Sequence, residues 1–254
     1  MSVQQHGQVV LLKLSGEAFA SPEPDLTIDL GVVDRFARQI ANARDASGLQ
    51  IALVIGGGNI WRGASGAAST MDRVTADHMG MLATVINSLA LKDALLRCGL
   101  DTRVMTAVPI AAVAEPYIVN KARHHLEEGR IIICAAGLGE PYFTTDTGAV
   151  HRARELNAGL LLKGTHGTVD GVYTADPKVD DTATFCHELD FQEVLDQRLR
   201  VMDGTAFTHA LEDGLPIRIF NAMAPNNIYR ALTGEPIGSL IHHMAAPADS
   251  LSRL

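Results

Sequence analysis

Aromatic residues are scarce in this chain, at 5% of positions with a single tryptophan, so the core cannot be organised around large rings. The cysteines, Cys98, Cys134 and Cys186, are only three and far apart. They form no CxxC pair and no Cys/His run at zinc spacing, which excludes a disulfide framework and fits a reducing cytoplasm. Lysine and arginine number 21 against 29 aspartates and glutamates, a formal charge of −8, which argues against nucleic acid bound over a broad surface. A local basic pocket is still allowed. No apolar run approaches the ~18 residues of a membrane span, and the first eight residues lack both a basic and a long apolar region. The expectation is a soluble, cytoplasmic protein without signal peptide or membrane contact. Familiar catalytic signatures are missing as well: GxxxxGK[ST], GxGxxG, HExxH, HxH and GxSxG occur nowhere. There is no internal repeat, low-complexity tract or Gly/Ser linker.

What is present is a chain of 254 residues, 47% apolar, with Ala, Val, Leu and Ile as the main core material. Its length suits one large α/β domain or two small ones. Short β-type runs recur at 9–14, 51–55, 103–108, 131–134, 160–162 and 217–220. Several are apolar without alternation, as in strands covered on both faces. Helical patterns lie between them, at about 30–46, stopped by Gly48, and at about 77–98. Leu82, Val85, Ile86, Leu89 and Leu96 mark one face of the second helix. Strands alternating with helices predict an α/β fold: a three-layer α/β/α sandwich around a central, mostly parallel sheet. The expected organisation is one domain over 1–254, with a lobe boundary near residue 150.

In open parallel sheets, ligands bind beyond the carboxyl ends of the strands, which directs attention to the residues that follow each one. Gly56-Gly57-Gly58-Asn59-Ile60-Trp61-Arg62-Gly63 follows the second run. Its glycines let bare backbone N–H groups approach an anion, and Arg62 suits bidentate phosphate capture. Taken alone, a tight strand-to-helix turn explains these glycines equally well. Gly137 to Thr147 follows the fourth run, with Thr145 and Asp146 where a helix should begin. The simple reading there is N-capping, which uses the same N–H groups as anion binding. Lys13 and Lys163 close the first and fifth runs. A lone lysine in such a place is usually a solvated charge, whereas two of them opposite two glycine turns and one carboxylate suggest a phosphate site. The histidine pairs 124–125 and 242–243 read as solvated, and the acidic stretch 176–181 as a loop.

Taken together, KLSGEA, GGGNIWRG, DHMGMLATVINSLAL, PYFTTDT, VDGVYTADP and LPIRIFN, in this order over nearly the whole chain, closely resemble the bacterial uridylate kinases, the UMP kinases of the amino-acid kinase family. The resemblance implies transfer of the γ-phosphoryl group of ATP to UMP, giving UDP and ADP, in pyrimidine nucleotide biosynthesis. It further implies a cytoplasmic homohexamer, an allosteric enzyme with GTP as activator and UTP as inhibitor. By the same resemblance Lys13, Gly16 and Lys163 hold the transferring phosphate and Asp146 orients the lysines, so that Lys13, Asp146 and Lys163 form the catalytic set. ATP is expected at Lys13, Leu14, Ser15, Gly16, Gly58, Arg62, Thr165, Tyr173 and Asp176. UMP is expected at Gly57 and Arg62, at Asp77 through the ribose, and at Leu138, Gly139, Glu140, Pro141, Tyr142, Phe143, Thr144 and Thr145.

The inventory agrees with such chemistry. A phosphate acceptor is already anionic near neutral pH, so alignment and positive charge are needed rather than a general base, and Mg²⁺ arrives with ATP. No metal ligand set is expected in the protein. The sequence also departs from the family at Leu138 and Glu140, where Thr and Asn are common, in a longer stretch over 163–170 with His166 in place of a frequent lysine, and over 21–29. Two alternatives stay open: a kinase of the same fold acting on another small acceptor, and a non-enzymatic nucleotide- or oxoanion-binding storage protein.

Overall fold

The computed structural model describes residues 8–20, 27–62, 70–167, 170–177, 179–199 and 201–244. Gly63, most of the 21–29 departure, and residues 168–169 of the stretch after Lys163 lie outside the described residues.

Among the described residues there are eleven strands: β1 (Val9–Leu14), β2 (Gln50–Ile55), β3 (Thr102–Thr106), β4 (Glu115–Pro116), β5 (Ile131–Ala135), β6 (Leu160–Thr165), β7 (Val172–Tyr173), β8 (Phe185–Cys186), β9 (Glu188–Asp190), β10 (Ile217–Asn221) and β11 (Ser239–His242). Nine of them form one sheet in the order β4-β3-β5-β2-β1-β6-β10-β11-β9, parallel except where β10 meets β11. β7 and β8 pair separately. With them, among the described residues, come a short 3-10 turn at Gly16–Phe19 and seven α-helices: α1 (Leu30–Ser47), α2 (Arg73–Arg97), α3 (Val119–Glu127), α4 (Thr145–Glu155), α5 (Phe191–Asp196), α6 (Gly204–Asp213) and α7 (Asn227–Leu232). The α/β/α sandwich expected from the sequence is therefore observed.

Alternation along the strands sorts the side chains into two cores. Val10, Leu12 and Leu14 of β1 join Ile51, Leu53 and Ile55 of β2 under α1, α2 and α7. Leu11, Ala52, Val54 and Leu161 face the other way, toward α3, α4, α5 and α6. Lys13 and Lys163 share the parity of Leu11 and Leu161, so both point to the layer that contains α4. They are also direct partners across adjacent strands.

Gly48 ends α1 at φ 66° in the left-handed region, as expected of a glycine C-cap, while Asp29 caps its start. α2 begins four residues before the expected Asp77, with Asp72 as its cap. The apolar face read for α2 is corrected in part: Val85 is buried and Leu89 packs against the core, but three of its members are not buried. Leu82, Ile86 and Leu96 are 49%, 48% and 46% exposed, whereas Thr84, Val85, Asn87, Ser88, Leu91 and Leu95 are buried. Small residues turn inward where the loop after β2 passes close to Gly80 and Ala83, and the polar ones are satisfied there: Asn87 by Gly56 O, Thr84 by Met81 O and the Ala136 N–H, and Ser88 by Thr84 O. α2 is long and apolar enough to span a bilayer, but half of its apolar window is buried inside the sandwich.

Candidate functional site

β1 sits at the point where the strand order reverses, with β2 on one side and β6 on the other. Loops leaving such neighbours diverge to opposite faces and open a crevice at their carboxyl ends. The loops after β1 and β2 touch closely. A Cβ on Gly16 would lie 2.6 Å from both Gly56 O and Gly58 N, and one on Gly57 would lie 2.8 Å from Ala83 Cβ and 2.9 Å from Gly80 O. No larger residue fits without moving backbone. The second loop is also tied to α2: the Asn87 amide donates to Gly56 O at 2.7 Å and exchanges hydrogen bonds with Asn59 at 2.7 and 3.1 Å.

At the floor of the crevice, Lys13 Nζ lies 2.7 Å from Asp146 Oδ1 and Lys163 Nζ lies 2.6 Å from Asp146 Oδ2. The Lys163 ammonium also donates to Val201 O at 2.8 Å. All three side chains are nearly buried, with exposures of 10%, 14% and 12% for Lys13, Asp146 and Lys163. Burial by itself would raise the Asp146 pKa, but the two ammonium groups outweigh it and bring it down to about 2. For Lys163 burial is the larger influence, and its pKa falls below the ordinary value despite the carboxylate. The result is a fixed Lys-Asp-Lys bridge with one more positive than negative charge, waiting in a low-dielectric setting for an anion.

Asp146 does not cap α4, as the simple sequence reading has it. Thr144 does so, accepting from the backbone N–H groups of Asp146 and Thr147 at 3.1 and 3.2 Å, which frees the Asp146 carboxylate for the lysines. Asp203, the cap of α6, accepts from the hydroxyls of Thr144 and Thr147 and so binds the starts of the two helices together.

Two cavities open on this bridge. One, of about 500 Å³, is bounded by Gly56, Gly57, Gly58, Trp61, Arg62, Asp77, Thr84, Leu138, Glu140 and 143–145, besides Lys13, Ser15, Gly16 and Glu17. The other, of about 770 Å³, is bounded by Lys163, Thr165, His166, Tyr173, Asp176, Arg198 and Leu199. Lys13 and Ser15 line both, so the cavities meet there. Each volume falls in the ~300–1,000 Å³ range of small-molecule sites.

The residues singled out from the sequence divide between these spaces as follows. Gly58, expected with the ATP group, and Arg62, expected with both ATP and UMP, line the first cavity; Arg62 pairs with Glu17 at 2.5 Å and reaches Gly58 O at 3.3 Å. Burial works to raise the Glu17 pKa, yet the Ser15 hydroxyl, its own backbone and Arg62 hold it below the ordinary value. Asp77 lines the first cavity while accepting from Arg73 Nε at 2.9 Å and from the Tyr142 backbone N–H at 2.8 Å. That last bond holds Tyr142 at φ 72°, which a tyrosine rarely adopts. Gly139, Pro141 and Tyr142 lie outside the lining, and Leu14 is wholly buried in the core. Arg73, Thr84, Asn87, Arg198 and Asp203 were not singled out in the sequence. Only Asn87 left a signal there, an amide within an otherwise apolar helical run.

A profile of the amino acid kinase family matches residues 8–221. A uridylate kinase of Xanthomonas oryzae pv. oryzae is 53% identical over 232 residues, which cover 91% of this chain and 95% of that protein. A uridylate kinase of Hyphomonas neptunium is 50% identical over 91% of each chain. The crystal structure of UMP kinase from Bacillus anthracis superposes with a TM-score of 0.88 at 40% identity, covering 94% of this chain and 98% of that one.

Proposed function

Because the chain belongs to the amino acid kinase family, and its relatives over nine-tenths of its length are uridylate kinases, we propose that it is a nucleoside monophosphate kinase that moves the γ-phosphoryl group of ATP to UMP. The observation that carries this reading is the meeting of two nucleotide-sized cavities at the buried Lys13-Asp146-Lys163 bridge. UMP occupies the cavity of Arg62, Asp77 and Glu140; ATP occupies that of Thr165, Tyr173 and Asp176.

A UMP phosphate oxygen attacks the γ-phosphorus, forming one P–O bond as the bridge to the β-phosphate breaks and ADP leaves. The attacking oxygen is already anionic at neutral pH, so no base has to remove a proton. Lys13 and Lys163 stand where charge spreads over the transferring oxygens, and Asp146 fixes their separation without reorganisation during the step. The N-terminus of α4 adds its backbone dipole on the same side. Arg62 turns from Glu17 to the UMP phosphate, an exchange of one bound anion for another. Mg²⁺ bound to ATP would supply further positive charge for the polyphosphate beside Lys13 and Lys163, and the Asp146 carboxylate is already engaged by both lysines.

The cytoplasmic setting, the homohexamer, activation by GTP and inhibition by UTP extend the same reading. The Leu82, Ile86 and Leu96 stripe on α2 supports a subunit contact, since apolar side chains at i, i+4 and i+14 share one helix face and here meet solvent. A coupled ADP-release assay over UMP, CMP, other nucleoside monophosphates and small carboxylic acids tests the function. Turnover fastest with UMP is the expected result, and turnover only with a carboxylic acid refutes it.

A further inference from the structure

The turn after β5 walls the first cavity through Ala136, Gly137, Leu138 and Glu140, and its shape is an unfavourable one. Ala136, Gly137 and Gly139 have φ of 62°, 57° and 80°, and left-handed backbone that includes an alanine persists only where its surroundings hold it. Two buried side chains do so, one from each helical layer. From α2, Thr84 Oγ1 accepts from the Ala136 N–H at 2.8 Å. From α4, Arg152 Nη2 donates to Gly137 O at 3.1 Å. A Cβ on Gly148 would stand 3.3 Å from Gly137 Cα, so α4 also packs directly on the turn.

A buried arginine carries a desolvation cost, and no step of the transfer uses this one. Its Cζ lies 3.8 Å from the centre of the Tyr117 ring, and its Nη1 pairs with Glu155 Oε2 at 2.6 Å. The Tyr117 hydroxyl donates to the same carboxylate oxygen at 2.9 Å. Tyr117 and Glu155 thus fix the plane of the guanidinium, and its Nη2 is left to hold Gly137 O. Within the turn, the N–H groups of Ala136 and Gly139 are engaged by Thr84 Oγ1 and Ala136 O. Among the described residues, the donors that the turn keeps for a ligand are the N–H groups of Gly137, Leu138 and Glu140. The peptide that carries the second of these is the one whose oxygen Arg152 holds.

We propose that Arg152, which lines neither cavity, is a positioning residue for the acceptor base: by holding Gly137 O it fixes the backbone donor that uracil O4 needs. This rests on UMP occupying the first cavity and deepens that reading. Neither the Leu138 side chain nor a Glu140 carboxylate can donate to uracil O4, so its donor comes from the backbone of the turn. The cytosine amino group can use Glu140 instead and depends less on how the turn is held. Arg152 therefore acts on the choice between pyrimidines as well as on acceptor affinity.

The test is steady-state kinetics of the full chain with UMP, CMP and ATP varied in turn, beside thermal unfolding, for the parent, Arg152→Met, Arg152→Lys and Tyr117→Phe. Arg152→Met keeps an apolar stem on the Tyr117 ring and loses the bond to Gly137 O. It should raise KM for UMP on the order of tenfold, the scale of one lost hydrogen bond to a charged group. KM for ATP should stay near the parent's, and the UMP/CMP ratio of kcat/KM should fall. Arg152→Lys keeps a charge for Glu155 without the planar fork; it should shift KM and the ratio the same way, and it decides if Arg152→Met does not fold. Tyr117→Phe loosens the same cluster without touching the turn and should keep the parent's KM for UMP. Equal changes in both KM values, an unmoved UMP/CMP ratio, or a Tyr117→Phe variant that behaves like Arg152→Met would make Arg152 a general packing residue. Each of these overturns the proposal and leaves the kinase reading intact. A parent that phosphorylates no nucleoside monophosphate overturns both.

Discussion

Replacing Asp146 by asparagine tests the centre most directly, because the carboxylate holds two nearly buried ammonium groups 2.7 and 2.6 Å away. In the folded protein its pKa falls from 3.8 to about 2, which corresponds to about 2 kcal/mol of stability. The sign follows from that direction. A depressed carboxylate pKa stabilises the fold fully above its unfolded value, and the contribution is lost as pH falls through the folded value. An asparagine oxygen cannot neutralise the lysines, so like charges are left facing each other in a dry site, and breaking a buried pair costs up to ~3–5 kcal/mol. Lys163 keeps its bond to Val201 O, which limits the loss. We expect Asp146→Asn to be about 2–4 kcal/mol less stable at neutral pH by urea unfolding. The deficit should shrink once the pH falls below about 4, where Asp146 of the unfolded chain begins to take up its proton, and be smallest below about 2, where the folded carboxylate is protonated as well. In the ADP-release assay kcat should fall on the order of 10²–10³, with a much smaller change in KM for UMP. Lys13→Ala should show the same division. Near-parent turnover in both variants, or a deficit equally large in acid, would refute the reasoning.

Arg62→Ala should raise KM for UMP far more than KM for ATP, and Asp176→Ala should do the reverse; steady-state kinetics with each substrate varied decides, and equal effects would remove the two-cavity assignment. With UMP in the first cavity as proposed, its lining residues Leu138 and Glu140 set the base preference: Leu138 offers no hydrogen bond and a Glu140 carboxylate only accepts, so the cytosine amino group would gain a partner that uracil O4 would not. UMP should still be preferred, with a narrow margin over CMP that widens in Glu140→Asn; an unchanged kcat/KM ratio would show that Glu140 does not face the base. Light scattering at micromolar concentration should give a hexamer mass, and Leu82→Glu should lower it, whereas a monomeric parent rules the assembly out.

Six of the sheet's nine strands were legible, mostly as continuous apolar runs, and the glycines and lysines after several of them also marked the crevice; the short β4, β9 and β11, of two to four residues with Glu, Pro, Asp and His among them, carry no such pattern. Lys13 and Lys163 stood out only together: one lysine at a strand end is usually a solvated charge, but two of them opposite two glycine turns and a carboxylate are not explained that way. The inner face of α2 was not legible. Its Thr84, Asn87 and Ser88 look like solvent-facing residues, but Asn87 donates to Gly56 O, Thr84 donates to Met81 O and accepts from the Ala136 N–H, and Ser88 donates to Thr84 O, so each is satisfied while buried. Helix periodicity assigns burial to the largest apolar residues, and here the close approach of a glycine loop admits only small ones. Arg198 and Asp203 gave no local signal, since they reach the site from chain more than thirty positions beyond Lys163 and belong to it only through tertiary packing.

The cross-strand pairing of Lys13 with Lys163 has a consequence for how the protein reaches its working state. The two lysines come from opposite ends of the first two-thirds of the chain, and the strand that carries the first is flanked by neighbours formed early and late in the sequence. Contacts so distant along the chain are closed only after a large loop entropy has been met, and parallel pairing of this kind forms slowly. Helices α1 and α2 and the pairing of β1 with β2 can assemble before β6 docks, so collapsed intermediates with much native secondary structure would still lack the second ammonium group. During refolding, phosphoryl-transfer activity should therefore return later than circular dichroism, and neither half of a chain divided between α4 and β6 should be active alone.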